Sequence, residues 1–158
     1  MSNNKPSNAQ LSDGQKWEIP AAEALASVRW PGATIVRNPA TSEIDLCVVV
    51  DGLLVAQLEV KRRYQNIGKY ETTMVTWSKH DVGRFYRKYF KAHVFCLLVF
   101  DDAVAVFDLG DTPDGKEVKG RWDRPDSERL YALYEIEGMD RYDDLLSGIK
   151  AVVRGRAE

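Results

Sequence analysis

Between residues 43 and 61 the chain reads EIDLCVVVDGLLVAQLEVK, two apolar runs of strand length separated by Asp51-Gly52. Side chains alternate along a strand, so Ile44, Leu46, Val48 and Val50 share one face of the first run, and Leu54, Ala56, Leu58 and Val60 share one face of the second. Those faces are core. If they coincide, paired residue numbers must total an even figure, and Asp45 then falls near Glu59 on the opposite face together with Gln57 and Lys61. A two-residue turn at Asp51-Gly52 would give an odd total and split the carboxylates across the sheet, so the pattern predicts a three-residue loop or a bulge.

The residue types on that polar face suit metal-dependent phosphodiester cleavage. Carboxylate oxygens from Asp45 and Glu59 fit a hard cation such as Mg²⁺ or Mn²⁺, which keeps several waters and accepts phosphate oxygens in its open positions. Such a cation lowers the pKa of a bound water and offsets charge in the transition state. Lys61 shares the face of Glu59 and can orient that water or neutralise developing charge.

Asp45 followed by Glu59-Val60-Lys61 on a hairpin resembles the PD-(D/E)XK nuclease superfamily over roughly residues 12–100. The resemblance implies a restriction-endonuclease-like α/β fold: an αβββαβ core, a central mixed sheet flanked by helices, and here a C-terminal strand-helix extension. It further implies the backbone carbonyl of Val60 as an additional metal ligand, and calcium binding without turnover. Gly14 with Glu18 four residues later resembles the glycine and glutamate of the first helix in Holliday-junction resolvases of the same superfamily, making Glu18 a candidate third catalytic acid. Glu23 is its rival, and either is equally compatible with a plain helix surface. A second E-x-K, Glu117-Val118-Lys119, lies in DTPDGKEVKGRWDRPD without an apolar strand and reads as loop decoration.

Length and composition fit one domain over residues 12–158, with its core at 12–109 and the extension at 110–158, after a disordered polar tail at 1–11. No run of 18 apolar residues and no charged-then-apolar leader is visible, so a cytoplasmic protein without membrane contact is expected. Cys47 and Cys96 lie in apolar runs and read as reduced core thiols.

The net charge of −2 conceals an asymmetry. Residues 60–93 carry nine Lys or Arg against two acids, whereas residues 101–144 carry fourteen acids against six Lys or Arg. The basic block follows the candidate catalytic strand, where a phosphate backbone would lie, and names Arg62, Arg63, Lys69, Lys79, Arg87 and Lys88 as nucleic-acid contacts.

Along the chain, a capping box at Ser12-x-x-Gln15 predicts a helix to about Arg29, with Pro20 forcing a kink or restart. ATIVRN reads as a first strand, RRYQNIGKYETT as a polar connection, and WSKHDVGRFYRKYF as a helix capped by Ser78 that packs Val82, Phe85, Tyr86, Tyr89 and Phe90 on the sheet. His80 reads as a surface residue of that helix. HVFCLLVF and AVAVFDL read as buried strands, GDTPDGKEVKGRWDRPD as an exposed loop or loose hairpin, RLYALYEI as a strand, and MDRYDDLLSGIKAVV as a closing helix. Tyr64, Tyr70 and Trp122 could stack on bases, although exposed aromatics more often pack locally.

The expectation is a Mg²⁺- or Mn²⁺-dependent endonuclease acting on duplex or branched DNA, with a catalytically silent nuclease-fold protein that binds nucleic acid or a protein partner as the alternative. One basic block beside one site gives a small footprint, so cutting two strands calls for a homodimer, with RLYALYEI as the candidate interface.

Overall fold

A computed structural model describes residues 8–121 and 124–157. Helix α1 (Asn8–Arg29) leads into a meander of β1 (Thr34–Arg37), β2 (Leu46–Val50) and β3 (Leu53–Arg62). A short 3₁₀ turn, Ile67–Lys69, precedes β4 (Thr72–Thr76) and α2 (Trp77–Phe90), followed by β5 (His93–Val99) and β6 (Val104–Asp108). The chain ends with β7 (Gly115–Arg121), β8 (Arg124–Glu135), a two-residue β9 (Asp140–Arg141), a 3₁₀ turn at Asp143–Leu145 and α3 (Leu146–Ala157).

The main sheet has the order β1-β2-β3-β5-β6-β9; β3 and β5 run parallel and its other pairs are antiparallel. The expected αβββαβ core and mixed sheet are therefore present. A second antiparallel sheet, β4-β8-β7, goes beyond the expected extension. One face of the main sheet (Leu46, Val48, Ala56, Leu58, Val60, Leu97) packs with Ala21, Ala22 and Leu25 of α1 and Ile149 and Val153 of α3. On the other face, Val94, Cys96 and Leu98 cluster with Val75 of β4 and Ala132 and Tyr134 of β8.

The β2–β3 hairpin satisfies two demands at once. Asp51 (φ 50°) and Gly52 (φ 78°) are both left-handed, the signature of a tight two-residue type I′ turn. Val49 pairs with Leu54 and Val50 with Leu53, the odd register of such a turn; beyond it Val48 pairs with Ala56 and Leu46 with Leu58, an even register. Val55 is the extra residue of a bulge that restores the parity the apolar pattern requires. The bulge also removes Leu54 from the expected core face, leaving it 43% exposed. Ile44 departs as well: it precedes the regular strand and is buried in the second cluster instead.

Several further expectations are corrected. The first helix spans Asn8–Arg29, so Ser12, expected to cap it, lies inside it. Pro20 does not restart the helix: it removes only one backbone bond, and Trp17 and Ile19 before it and Ala21, Ala22 and Leu25 after it hold both turns against the core. The polar connection runs into a strand, β4, whose first two residues are its last two and which pairs with β8. The segment around Glu117 forms the outer strand β7, and Trp122 lies outside the described residues.

Helix α2 keeps its expected bounds but buries a different face. His80 and Gly83 are buried, Val82 and Tyr86 pack partly, and Phe85, Tyr89 and Phe90 are exposed. Thr76, not Ser78, is the N-cap residue. His80 Nδ1 lies 2.9 Å from the Leu109 carbonyl oxygen and 2.7 Å from the Tyr134 hydroxyl. A β-carbon on Gly83 would stand 2.7 Å from the Leu109 carbonyl carbon and 2.9 Å from the Gly110 nitrogen, closer than backbone atoms tolerate. Gly83→Ala is expected to destabilise the protein by about 1–3 kcal/mol through this overpacking; urea unfolding measures it, and an unchanged midpoint would contradict the close docking of α2.

Candidate functional site

Glu59 belongs to β3, where alternation turns Gln57, Glu59 and Lys61 toward the second cluster and Ala56, Leu58 and Val60 toward α1 and α3. It pairs across the parallel ladder with Cys96 of β5 and is only 2% exposed. An ionised carboxylate so far from water needs compensation. Two ammonium groups converge on its Oε1: Lys61 Nζ at 3.3 Å, and Lys79 Nζ of α2, which donates a direct hydrogen bond. Oε2 is buried and has no hydrogen-bond partner.

Asp45 sits just before β2, in continuation of the even register, and is partly exposed. Its carboxyl is pushed up to about 7, first by burial and then by the negative charges of Glu59 and Glu18, with Lys79 opposing. Asn38 ties down this part of the chain. Its backbone N–H donates to the Asp45 carbonyl at 2.9 Å, and its side-chain amide donates to the Ile44 carbonyl at 2.9 Å and to Gln57 Oε1 at 3.3 Å.

Of the two helix acids, Glu18 is close enough to act on the titration of Asp45, and its carboxylate forms an ion pair with Arg37 of β1. Glu23 is exposed and lines a separate hollow with Ser27, Trp30 and Thr34. Val60 buries its side chain in the opposite core, so only its backbone carbonyl is available as a ligand. Among the described residues no group of three His, Cys, Asp or Glu side chains could hold a metal. A cation here would complete its shell with backbone oxygen and water, as Mg²⁺ does readily. The two carboxyls fit such an ion: Glu59 Oε2 is buried while both lysines meet Oε1, and burial, the charge of Glu59 and a hydrogen bond shared with it hold the proton on Asp45.

The basic block divides among different tasks. Arg62 is stacked between Trp17 and Tyr64, its guanidinium carbon 4.5 and 4.3 Å from the ring centres, and pairs with Asp101 at 2.6 Å. Arg63 donates to the Met74 carbonyl at 3.3 Å, and Arg87 pairs with Asp108 and Asp111 at 2.7 and 2.8 Å. These three arginines direct donors into the protein. Lys69 and Lys88 lie over the rings of exposed Tyr70 and Tyr89, and Lys79 points into the site.

Both cysteines are free; burial pushes the Cys96 thiol up to about 12, which fits a core thiol. The rival Glu117 and Lys119 are exposed on β7, 3.8 Å apart. Sequence reasoning missed Lys79 as a partner of Glu59 and missed Asn38 altogether. Asn38 offered only the signal of a turn-forming residue at a strand end.

Because the carboxyl of Asp45 holds its proton more tightly in the folded state than its ordinary value of 3.8, ionisation disfavours folding, and stability falls as pH rises from about 4 to about 7. Asp45→Asn removes that ionisation. In chelator the variant is expected to melt above wild type at pH 8, with the gap closing toward pH 4; a constant gap across that window would contradict the raised value.

In fold, the chain is similar to Hjc, a Holliday junction resolvase from the archaeal hyperthermophile Archaeoglobus fulgidus, at a TM-score of 0.51. Identity is 12%, and the match covers 86% of this chain and 97% of the other. No curated protein matches the chain. A family model described as "Phage putative PDDEXK endonuclease" matches residues 11–140. With most of its 158 residues inside that match, the chain belongs to this PD-(D/E)XK endonuclease family.

Proposed function

We propose that the protein is a divalent-metal-dependent endonuclease that cleaves duplex or branched DNA, with Asp45 and Glu59 as the carboxylates that hold Mg²⁺ or Mn²⁺. The observation that carries this reading is the close approach of the Asp45 and Glu59 carboxyls, with Glu59 Oε2 buried and met by neither lysine. When bound, the cation supplies a water of lowered pKa and charge for the phosphorane-like transition state. The Val60 carbonyl is the backbone ligand nearest in sequence. Lys61, 3.3 Å from Glu59, would donate a hydrogen bond to the attacking water or to a non-bridging phosphate oxygen. Glu18, fixed by Arg37, adds negative charge at the rim and favours cation entry. Lys69 and Lys88 serve as phosphate contacts, since Arg62, Arg63 and Arg87 are largely engaged within the protein.

Asp45→Ala, Glu59→Ala and Lys61→Ala are each expected to lower the Mg²⁺-dependent cleavage rate by roughly a hundredfold or more, and a double variant by little more, because such residues act as a unit. Glu117→Ala and Lys119→Ala should cleave like wild type. A plasmid and a four-way junction, assayed with Mg²⁺, Mn²⁺ or chelator, test this; full activity in any of the first three variants, or cleavage in chelator, would refute the site.

We also propose that the active form is a homodimer, because one site beside a small basic footprint serves one strand at a time. The RLYALYEI segment is less suited to the interface than the sequence suggested: β8 is hydrogen-bonded on both edges and buries Ala132 and Tyr134. Light scattering at micromolar concentration should give twice the 17.9 kDa chain mass; a monomer that nicks a single strand would refute the dimer.

A further inference from the structure

Lys79 holds a position that the E-x-K pattern does not require. It comes from the first turn of α2, not from the β-hairpin, and its ammonium group shares Glu59 Oε1 with Lys61. Of the two lysines it is the less exposed, 19% against 26%, and it makes the closer contact. The element carrying it is anchored independently by buried His80 and by Gly83 against Leu109 and Gly110. Lys79 is therefore presented to Glu59 by a fixed scaffold.

Two effects of this ammonium on an incoming cation oppose each other. It holds the Glu59 carboxylate in place through a charge-assisted hydrogen bond. It also places a unit positive charge against the carboxylate read as a ligand of a divalent ion, where partly buried surroundings strengthen the repulsion. Repulsion prevails. We propose that Lys79 is a positioning residue that acts as the internal counter-cation of Glu59: it neutralises the buried carboxylate in the metal-free protein and thereby raises the metal concentration at which the site fills. This rests on the reading of Asp45 and Glu59 as metal ligands.

The test is calorimetric titration of Mn²⁺ alone into full-length wild type, Lys79→Met, Lys79→Gln, Lys79→Arg and Glu59→Gln, with thermal melts to establish that each variant is folded. Both neutral variants should melt lower than wild type in chelator and bind Mn²⁺ about tenfold more tightly or better. Lys79→Arg, which keeps the charge, should bind as wild type does, and Glu59→Gln should lose binding. A lysine that merely supported the fold would do the opposite and weaken binding when removed. Unchanged or weaker Mn²⁺ affinity in folded Lys79→Met or Lys79→Gln, with binding still lost in Glu59→Gln, would overturn the counter-cation role and leave the metal reading standing. Absence of Mn²⁺ binding in wild type and in both neutral variants would overturn both.

Discussion

Burial of the Glu59 carboxylate is the constraint around which this end of the molecule is arranged. A charged oxygen pair removed from water costs several kcal/mol unless other charges and donors meet it. Lys61 is supplied by the strand itself, two residues along. Lys79 has to come from another element, which makes the docking of α2 part of the site. That docking depends on Gly83, which lets the helix touch the backbone at Leu109 and Gly110, and on the His80, Tyr134 and Leu109 contacts, which tie the helix to β8 and to the end of β6. The second sheet thus helps to hold the helix that presents a cation to the first.

The hairpin shows the same economy. A type I′ turn at Asp51-Gly52 matches the twist of the flanking strands, yet its register would put Asp45 and Glu59 on opposite faces. One extra residue, Val55, reverses the parity between turn and site. Asn38 then holds the Asp45 backbone and also reaches Gln57 on β3, so the two acids meet although Asp45 lies outside the regular strand.

Much of this was legible in the chain. The alternation in EIDLCVVV and LLVAQLEVK assigns most residues to the right face, Ile44 and Leu54 excepted, and parity called for a three-residue loop or a bulge, of which the bulge is present. The bounds of α2 followed from its turn signals and apolar spacing. Its buried face did not follow, because five aromatic residues on one short helix outweigh His80 and Gly83 in any hydrophobicity count, whereas packing favours small Gly83 and hydrogen-bonded His80. Strand β4, TTMVT, is short and sits in a polar stretch; its partner β8 lies more than fifty residues away, and local pattern carries no record of such pairing. Charge density along the sequence likewise does not reveal that Arg62 stacks on Trp17 or that Arg87 meets Asp108.

The central claim is that Asp45 and Glu59 together form the seat of a divalent cation. Crystals of the protein soaked in Mn²⁺, with anomalous diffraction collected at the manganese edge, test it most directly. The account predicts one anomalous peak within coordination distance of an Asp45 oxygen and of Glu59 Oε2. Peaks confined to surface acids such as Glu117, with Asp45 and Glu59 unaltered at saturating Mn²⁺, would contradict it.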